Sequence, residues 1–238
     1  MTITCLHPAY LIPVEPANQV LTGHALVMNE SLIEAILPSD EARLRYPDAI
    51  HQELPDHALT PGFVNLHGHS AMSLLRGLAD DLALMDWLNH HIWPAEKAHV
   101  SDEFVFDGTS FAMAEMLRGG TTTINDMYFH HTAVARAGIA SGMNTVVGCS
   151  ILEFPTGYAQ DAAGYLQLAE DAINEYRGQA GIGFTLAPHA PYTVADDTFR
   201  KVAAMAADKG VRIHCHIHET NDEVQGSISQ YGKRPLAR

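Results

Sequence analysis

The stretch Pro61-Gly62-Phe63-Val64-Asn65-Leu66-His67-Gly68-His69-Ser70 follows a Pro-Gly turn, runs briefly apolar and ends in two imidazoles one residue apart. The 238-residue chain holds 15 histidines, so about one His-x-His arises by chance and the bare pattern decides little. Its position decides more. After Pro61, short apolar runs begin near Gly62, Thr121, Asn144, Gly181 and Val211, each followed by a segment of helical period. Ser101 is placed to cap a helix that carries Asp102 and Glu103 in its first turn and Phe104, Gly108, Phe111 and Ala112 on its apolar face, and that stops at Gly119-Gly120. Phe199, Val202, Ala203 and Ala206 repeat the helical spacing before Gly210. Strand then helix, repeated, predicts an α/β fold with a parallel sheet covered by helices.

The segment before Pro61 reads differently. Tyr10 to Val14, Ala25 to Met28 and Leu32 to Leu37 are short, turn-bounded and partly alternating, as strands of a small β unit are, with Asn29-Glu30-Ser31 as a hairpin turn and one short helix from Asp40 to Tyr46. The expected organisation is a small β domain over residues 1–60 and an α/β domain over residues 61–238.

Composition narrows the function classes. A chain 47% hydrophobic and 18% charged can bury a large core. Fourteen Lys plus Arg against 28 Asp plus Glu leave a net charge of -14, which repels phosphate backbones and anionic lipid and argues against nucleic-acid or membrane partners. Cys5, Cys149 and Cys215 are odd in number and far apart, and they form no C-x-x-C pair. That fits a reducing compartment. The N-terminus lacks a basic region followed by a long apolar core, and no apolar run reaches the ~20 residues of a membrane span, so the expected setting is cytoplasmic.

In parallel α/β sheets and barrels, reactive groups sit at the C-terminal ends of strands. Here those ends are rich in histidine. Period-2 alternation turns His67 and His69 to one face, where a divalent ion can bridge them. In V-R-I-H-C-H-I-H-E-T the same alternation puts His214, His216 and His218 on one face, with Glu219 following as a candidate proton carrier. His189 closes the fourth run between Pro188 and Pro191, which stiffen its loop. Two His-x-His pairs at strand ends predict a metal site. His214 is open to a packing or supporting role and His218 to a solvent-facing one. His90-His91 and His130-His131 read as solvated, Trp87 and Trp93 as core aromatics, and Glu96 as a surface residue.

The segments P-G-F-V-N-L-H-G-H-S, R-G-G-T-T-T-I-N-D-M-Y, A-P-H-A-P-Y-T and H-C-H-I-H-E-T, in this order, resemble the amidohydrolase superfamily and most closely its 5'-methylthioadenosine/S-adenosylhomocysteine deaminases. The resemblance runs to about Tyr231. It implies a metal-dependent (β/α)8 TIM barrel, of which this chain carries about five β/α units, beside a small N-terminal β-sandwich-like unit. It also implies that His67, His69 and His216 are metal ligands, that Glu219 is the proton shuttle and that His189 contacts substrate. By the same resemblance Glu96 in W-P-A-E-K binds the ribose hydroxyls and Trp87 in D-W-L packs on the nucleoside. The types suit the tasks, since a carboxylate accepts from both hydroxyls of a diol and an indole offers a flat face to a purine.

Two departures qualify the match. The family carries a further metal-site aspartate after its eighth strand and a histidine after its sixth, while a barrel of this kind needs ~250 residues. The chain therefore reads as the N-terminal part of a longer enzyme and is expected to be inactive alone. Some relatives also place an arginine after the third strand, where N-T-V-V-G-C-S-I-L-E-F-P has none, which favours substrates without the amino-acid tail. The implied reaction is hydrolytic deamination of an adenine nucleoside (5'-methylthioadenosine, S-adenosylhomocysteine or adenosine) with one divalent ion, Zn2+ first and Fe2+ or another first-row ion next. The alternatives are a guanine or cytosine deaminase, a triazine chlorohydrolase, or a non-catalytic metal-binding fragment. The expected partners are a small nucleoside and a second copy of the chain.

Overall fold

The structure, a computed structural model, describes residues 2–238. It divides into two compact units, Met1–Gly62 and Phe63–Arg238.

The first unit is a four-stranded sheet of order β3-β2-β1-β4 with one helix. Its elements are β1 (Ile3–Leu11), β2 (His24–Asn29), β3 (Leu32–Pro38), α1 (Ser39–Arg45) and β4 (Ile50–Leu59). β2 and β3 form the expected hairpin, with Glu30 in the left-handed region that its turn requires. Cys5, Ala25, Val27 and Ala42 form the core. The sequence reading misplaced β1 and omitted β4. β1 contains Pro8, yet it tolerates it because β2 pairs only along Ile3 to Leu6, so the missing N–H falls beyond that ladder. β4 is a mostly exposed edge strand with Pro55 inside it, and it pairs in parallel with β1 across a register shift between Pro8 and Tyr10. Its side chains carry no alternating pattern because the backbone ladder, not burial, holds it.

The second unit is a five-stranded parallel sheet of order β5-β6-β7-β8-β9, the strand order expected of a partial TIM barrel. Its strands are β5 (Phe63–Gly68), β6 (Thr121–Tyr128), β7 (Asn144–Ile151), β8 (Ile182–Pro188) and β9 (Arg212–Ile213). Between β5 and β6 lie a 3-10 segment (Ser70–Leu75) and α2 (Leu84–Trp87), α3 (Trp93–His99) and α4 (Asp102–Arg118); α5 (His131–Ser141), α6 (Ala162–Glu175) and α7 (Asp196–Lys209) link the later strands, and α8 (Asn221–Tyr231) follows β9. Each of the five strands begins within a residue of its expected start. Among the described residues, no helix is long and apolar enough to cross a membrane.

α4 shows how local chemistry sets the frame. Ser101 Oγ accepts the Phe104 N–H at 3.1 Å, Asp102 and Glu103 occupy the positive end of the helix, and the last turn closes on Gly119. Phe111, expected inside, is 49% exposed. The buried stripe is instead Val105, Gly108, Thr109, Ala112 and Met113. Gly108 lets the helix touch the segment that follows His69, since a Cβ there would come within 2.6 Å of the Ala71 carbonyl oxygen. Gly108→Ala is expected to force the helix and that segment apart and to cost about 1–3 kcal/mol in urea unfolding. A parental midpoint would show that the contact yields freely.

Candidate functional site

Five imidazoles gather at the C-terminal edge of the parallel sheet. His67 and His69 come from the end of β5, His189 from the end of β8, and His214 and His216 from the chain just past β9. Ring centroids lie 4.8 Å apart for His67 and His69, 4.9 Å for His67 and His216, 5.2 Å for His69 and His216, and 4.8 Å for His189 and His216. Ligand atoms of His67, His69 and His216 all lie within 4.8 Å of one another, so the three can hold one divalent ion.

The hydrogen bonds support that fit. His69 Nδ1 lies 2.6 Å from the Met127 carbonyl oxygen, which fixes the proton on Nδ1 and leaves the Nε2 lone pair free. His67 places Nδ1 2.9 Å from His214 Nε2 and Nε2 3.2 Å from His216 Nε2. His214 is thus the support of His67, while two ring nitrogens face each other across the space a cation would take. Thr193 donates its hydroxyl hydrogen to the Ala190 carbonyl, so its oxygen accepts from His189 Nδ1 at 2.9 Å. His189 therefore also keeps a lone pair on Nε2.

Burial, reinforced by the neighbouring imidazoles, lowers His216 to about 3 and His189 to about 4. It lowers His67, His69 and His214 too, against a small opposing pull from Glu219 on the first two. The cluster is neutral at pH 7, the state a metal requires.

A second end of the cleft carries a carboxylate. Glu96, on α3, accepts from the Tyr128 hydroxyl at 2.7 Å, and burial raises its pKa while that bond lowers it. Trp87, Trp93, Phe129, Leu152 and Phe154 line the space between Glu96 and the histidines, along with His189, Tyr192, His216 and Glu219. Glu219 accepts from the Tyr192 hydroxyl at 2.7 Å. Beyond Glu96 a cavity of about 580 Å³ continues along Trp93, Phe129, Leu152, Phe154, Pro155 and Tyr158.

Over residues 58–237 the sequence matches the amidohydrolase family. The chain belongs to that family. It is 42% identical over 229 residues to a 5-methylthioadenosine/S-adenosylhomocysteine deaminase of Saccharophagus degradans, covering 96% of this chain and 51% of that protein. It superposes with a TM-score of 0.96 and 45% identity on a zinc-bound adenosine deaminase of Xanthomonas campestris, over 99% of this chain and 54% of the other. A guanine deaminase of C. acetobutylicum, 15% identical with a TM-score of 0.86, shares the fold. The chain spans about half the length of the curated relatives it matches.

Several residues differ from their sequence reading. His218 does not share the face of His214 and His216. The strand ends at Ile213, His218 adopts a φ of 59°, and its Nε2 accepts from the Leu236 N–H. Alternation holds only while a chain stays extended. His131 is fully buried beneath Tyr158, not solvated, and its pKa falls to about 3 through burial. Glu96 is withdrawn from the surface, and both tryptophans line the cleft instead of a closed core. Asp126, Tyr128 and Tyr192 escaped notice although they lie in the quoted segments, because a side chain whose partner lies far along the chain leaves no spacing signal.

His216 and His189 carry a stability dependence on pH. Their folded values lie below the ordinary 6.5, so the unfolded chain takes up protons first as pH falls. Stability is full above about 6.5 and is lost as pH drops toward their depressed values. Urea unfolding of metal-free protein from about pH 7.5 to about pH 4.5 is expected to show a falling midpoint, and His216→Gln to flatten the slope. Equal slopes would assign the loss elsewhere.

Proposed function

We propose that this protein takes part in the hydrolytic deamination of an adenine nucleoside, with 5'-methylthioadenosine or adenosine as the preferred substrate class. The observation that carries this reading is a neutral histidine cluster and a buried, tyrosine-held carboxylate at opposite ends of one aromatic cleft. A purine nucleoside has the matching polarity: an electrophilic ring carbon at one end, a diol further along and a flat apolar face between.

In this reading His67, His69 and His216 hold one zinc ion, as the zinc-bound Xanthomonas relative supports. When bound, such an ion supplies positive charge that brings water's pKa down toward neutrality. Trp87 packs on the base, and Glu96 accepts from the ribose hydroxyls through the oxygen that Tyr128 leaves free. His189, neutral and with its Nε2 lone pair toward the cleft, hydrogen-bonds at the reacting edge of the base. Glu219 delivers a proton to the ring nitrogen, which makes C6 electrophilic; water adds there, one of its protons leaves with the amine as ammonia and the other restores Glu219. The cavity beyond Glu96 is lined mainly by apolar side chains, with Thr156 and Gln160 among them and the exposed Lys97 as the cation among its described lining residues. That lining favours an uncharged 5'-substituent over a zwitterionic amino-acid tail. The proposal includes residues 1–60 as a small β domain beside the barrel residues 61–238, and a cytoplasmic homo-oligomer as the working form.

Assaying ammonia release from 5'-methylthioadenosine, adenosine, S-adenosylhomocysteine and guanine with the zinc-loaded full-length enzyme that carries this chain tests the reading, and the variants below are made in it; guanine as the best substrate would overturn it. Glu219→Gln keeps shape and hydrogen bonding but removes the titratable proton. It is expected to retain zinc and substrate affinity while kcat falls by roughly 10² to 10⁴. His216→Ala should lose the metal instead. Glu96→Ala is expected to weaken nucleoside use by ~1.5–3 kcal/mol with metal content unchanged. Because burial raises Glu96, the diol contact is present above its pKa and fades as pH falls through it, so KM should climb on acidification in the parent and not in Glu96→Gln.

A further inference from the structure

Glu219 is useful only if its carboxylate stands still, and the chain around it is an awkward place for that. The strand has ended at Ile213, and His218 sits in the left-handed region at φ 59°, which a side-chain-bearing residue adopts only when something holds it there. The restraint comes from Glu223, in the first turn of α8. Its carboxylate is buried, and its two oxygens are divided between two backbone donors: Oε1 accepts the His218 N–H at 3.2 Å and Oε2 accepts the Glu219 N–H at 2.7 Å. Its own N–H is held in turn, donating to Thr220 Oγ1 at 3.1 Å.

Thr220 and Glu223 make the familiar reciprocal cap of a helix start, a threonine with a glutamate three residues on. In the ordinary version the glutamate returns to the N–H of the capping residue. Here it reaches past Thr220 to the two residues before it. The helix cap has been extended into a clamp on the loop that carries Glu219, while Tyr192 pins the far end of the Glu219 side chain through Oε2.

We propose that Glu223 is a positioning residue for Glu219: by binding the amides of residues 218 and 219 it fixes the left-handed turn that aims the Glu219 carboxylate into the cleft. Its catalytic consequence rests on the deaminase reading, and its geometric consequence does not.

Glu223→Gln is the informative variant. A carboxamide has one acceptor oxygen, and its NH2 would confront a backbone N–H, so one of the two holds is replaced by a donor facing a donor. In the zinc-loaded full-length enzyme with 5'-methylthioadenosine, the expected result is parental metal content, KM within about twofold, and kcat lower by roughly 10- to 100-fold, the scale of an ångström-sized misplacement. A structural defect could mimic the loss, so the same substitution is also made in a Glu219→Gln background. If Glu223 acts through Glu219, the second substitution lowers kcat by less than about twofold there. Equal losses in both backgrounds would overturn the proposal.

Amide hydrogen exchange supplies the measurement that needs no activity. The N–H groups of His218 and Glu219 should exchange faster in Glu223→Gln than in the parent, with β8 unchanged; unaltered exchange at 218 and 219 would overturn the proposal whatever the kinetics. A full-length parent enzyme, carrying this chain as its N-terminal part, that releases no ammonia from any nucleoside would overturn the deaminase reading and the catalytic half of the proposal, and exchange would still decide whether Glu223 holds the loop.

Discussion

The geometry of the histidine cluster depends on how the end of β6 grips the end of β5. Asp126 is fully buried and accepts the Ser70 N–H at 2.6 Å, while the next residue, Met127, accepts the His69 imidazole through its carbonyl. One strand end thus holds both the backbone after His69 and the ring of His69. The grip requires the two strands to meet closely at the pairing of Gly68 with Asp126, where a Cβ on residue 68 would press on Ile124 at 3.1 Å. Gly148 lets β7 approach from the other side, since a Cβ there would come within 2.8 Å of the Asp126 carbonyl oxygen. Burial raises Asp126 to about 6, and the bonds from Ser70 oppose the rise. A buried carboxylate that trades solvation for a backbone amide acts as a rigid strut.

The same device recurs at the two carboxylates of the cleft. Tyr128 donates to Glu96 and Tyr192 donates to Glu219, each at 2.7 Å. A phenol fixes the carboxyl plane while leaving one oxygen free and adding no charge, whereas a lysine or arginine would bring a positive charge into the cleft. The cluster beside them uses the opposite logic. The five imidazoles are all driven toward the neutral form by burial, with Glu219 opposing this only at His67 and His69, so they meet an incoming cation without first losing protons.

Much of this was legible before the coordinates. Each parallel strand of the second unit announces itself by an apolar run between a turn and a helical segment, and His67, His69, His189 and His216 fall at strand ends because the runs stop there. β4 was not legible, since an exposed edge strand with a proline lacks both alternation and continuous hydrophobicity. His218 was misplaced for a related reason: H-C-H-I-H keeps perfect alternation in letters, but the ladder that would enforce it covers only Arg212 and Ile213. Phe111 and His131 were misjudged because periodicity reports a helix's mean face and not which neighbour packs on each position.

Local chemistry determined the elements: the cap at Ser101, the stops at Gly119 and Gly210, the strand runs, and hence the parallel sheet with histidines at one edge. Those features need only nearest neighbours in the chain, which is why one sequence suffices to read them. Tertiary structure alone decided which groups meet. Asp126 and Ser70 are 56 residues apart, His67 and His214 are 147 apart, and the tyrosines reach their carboxylates across 32 and 27 residues. A contact of that kind is set by strand order and register, which place atoms to within an ångström, and no local preference of the chain encodes a distance.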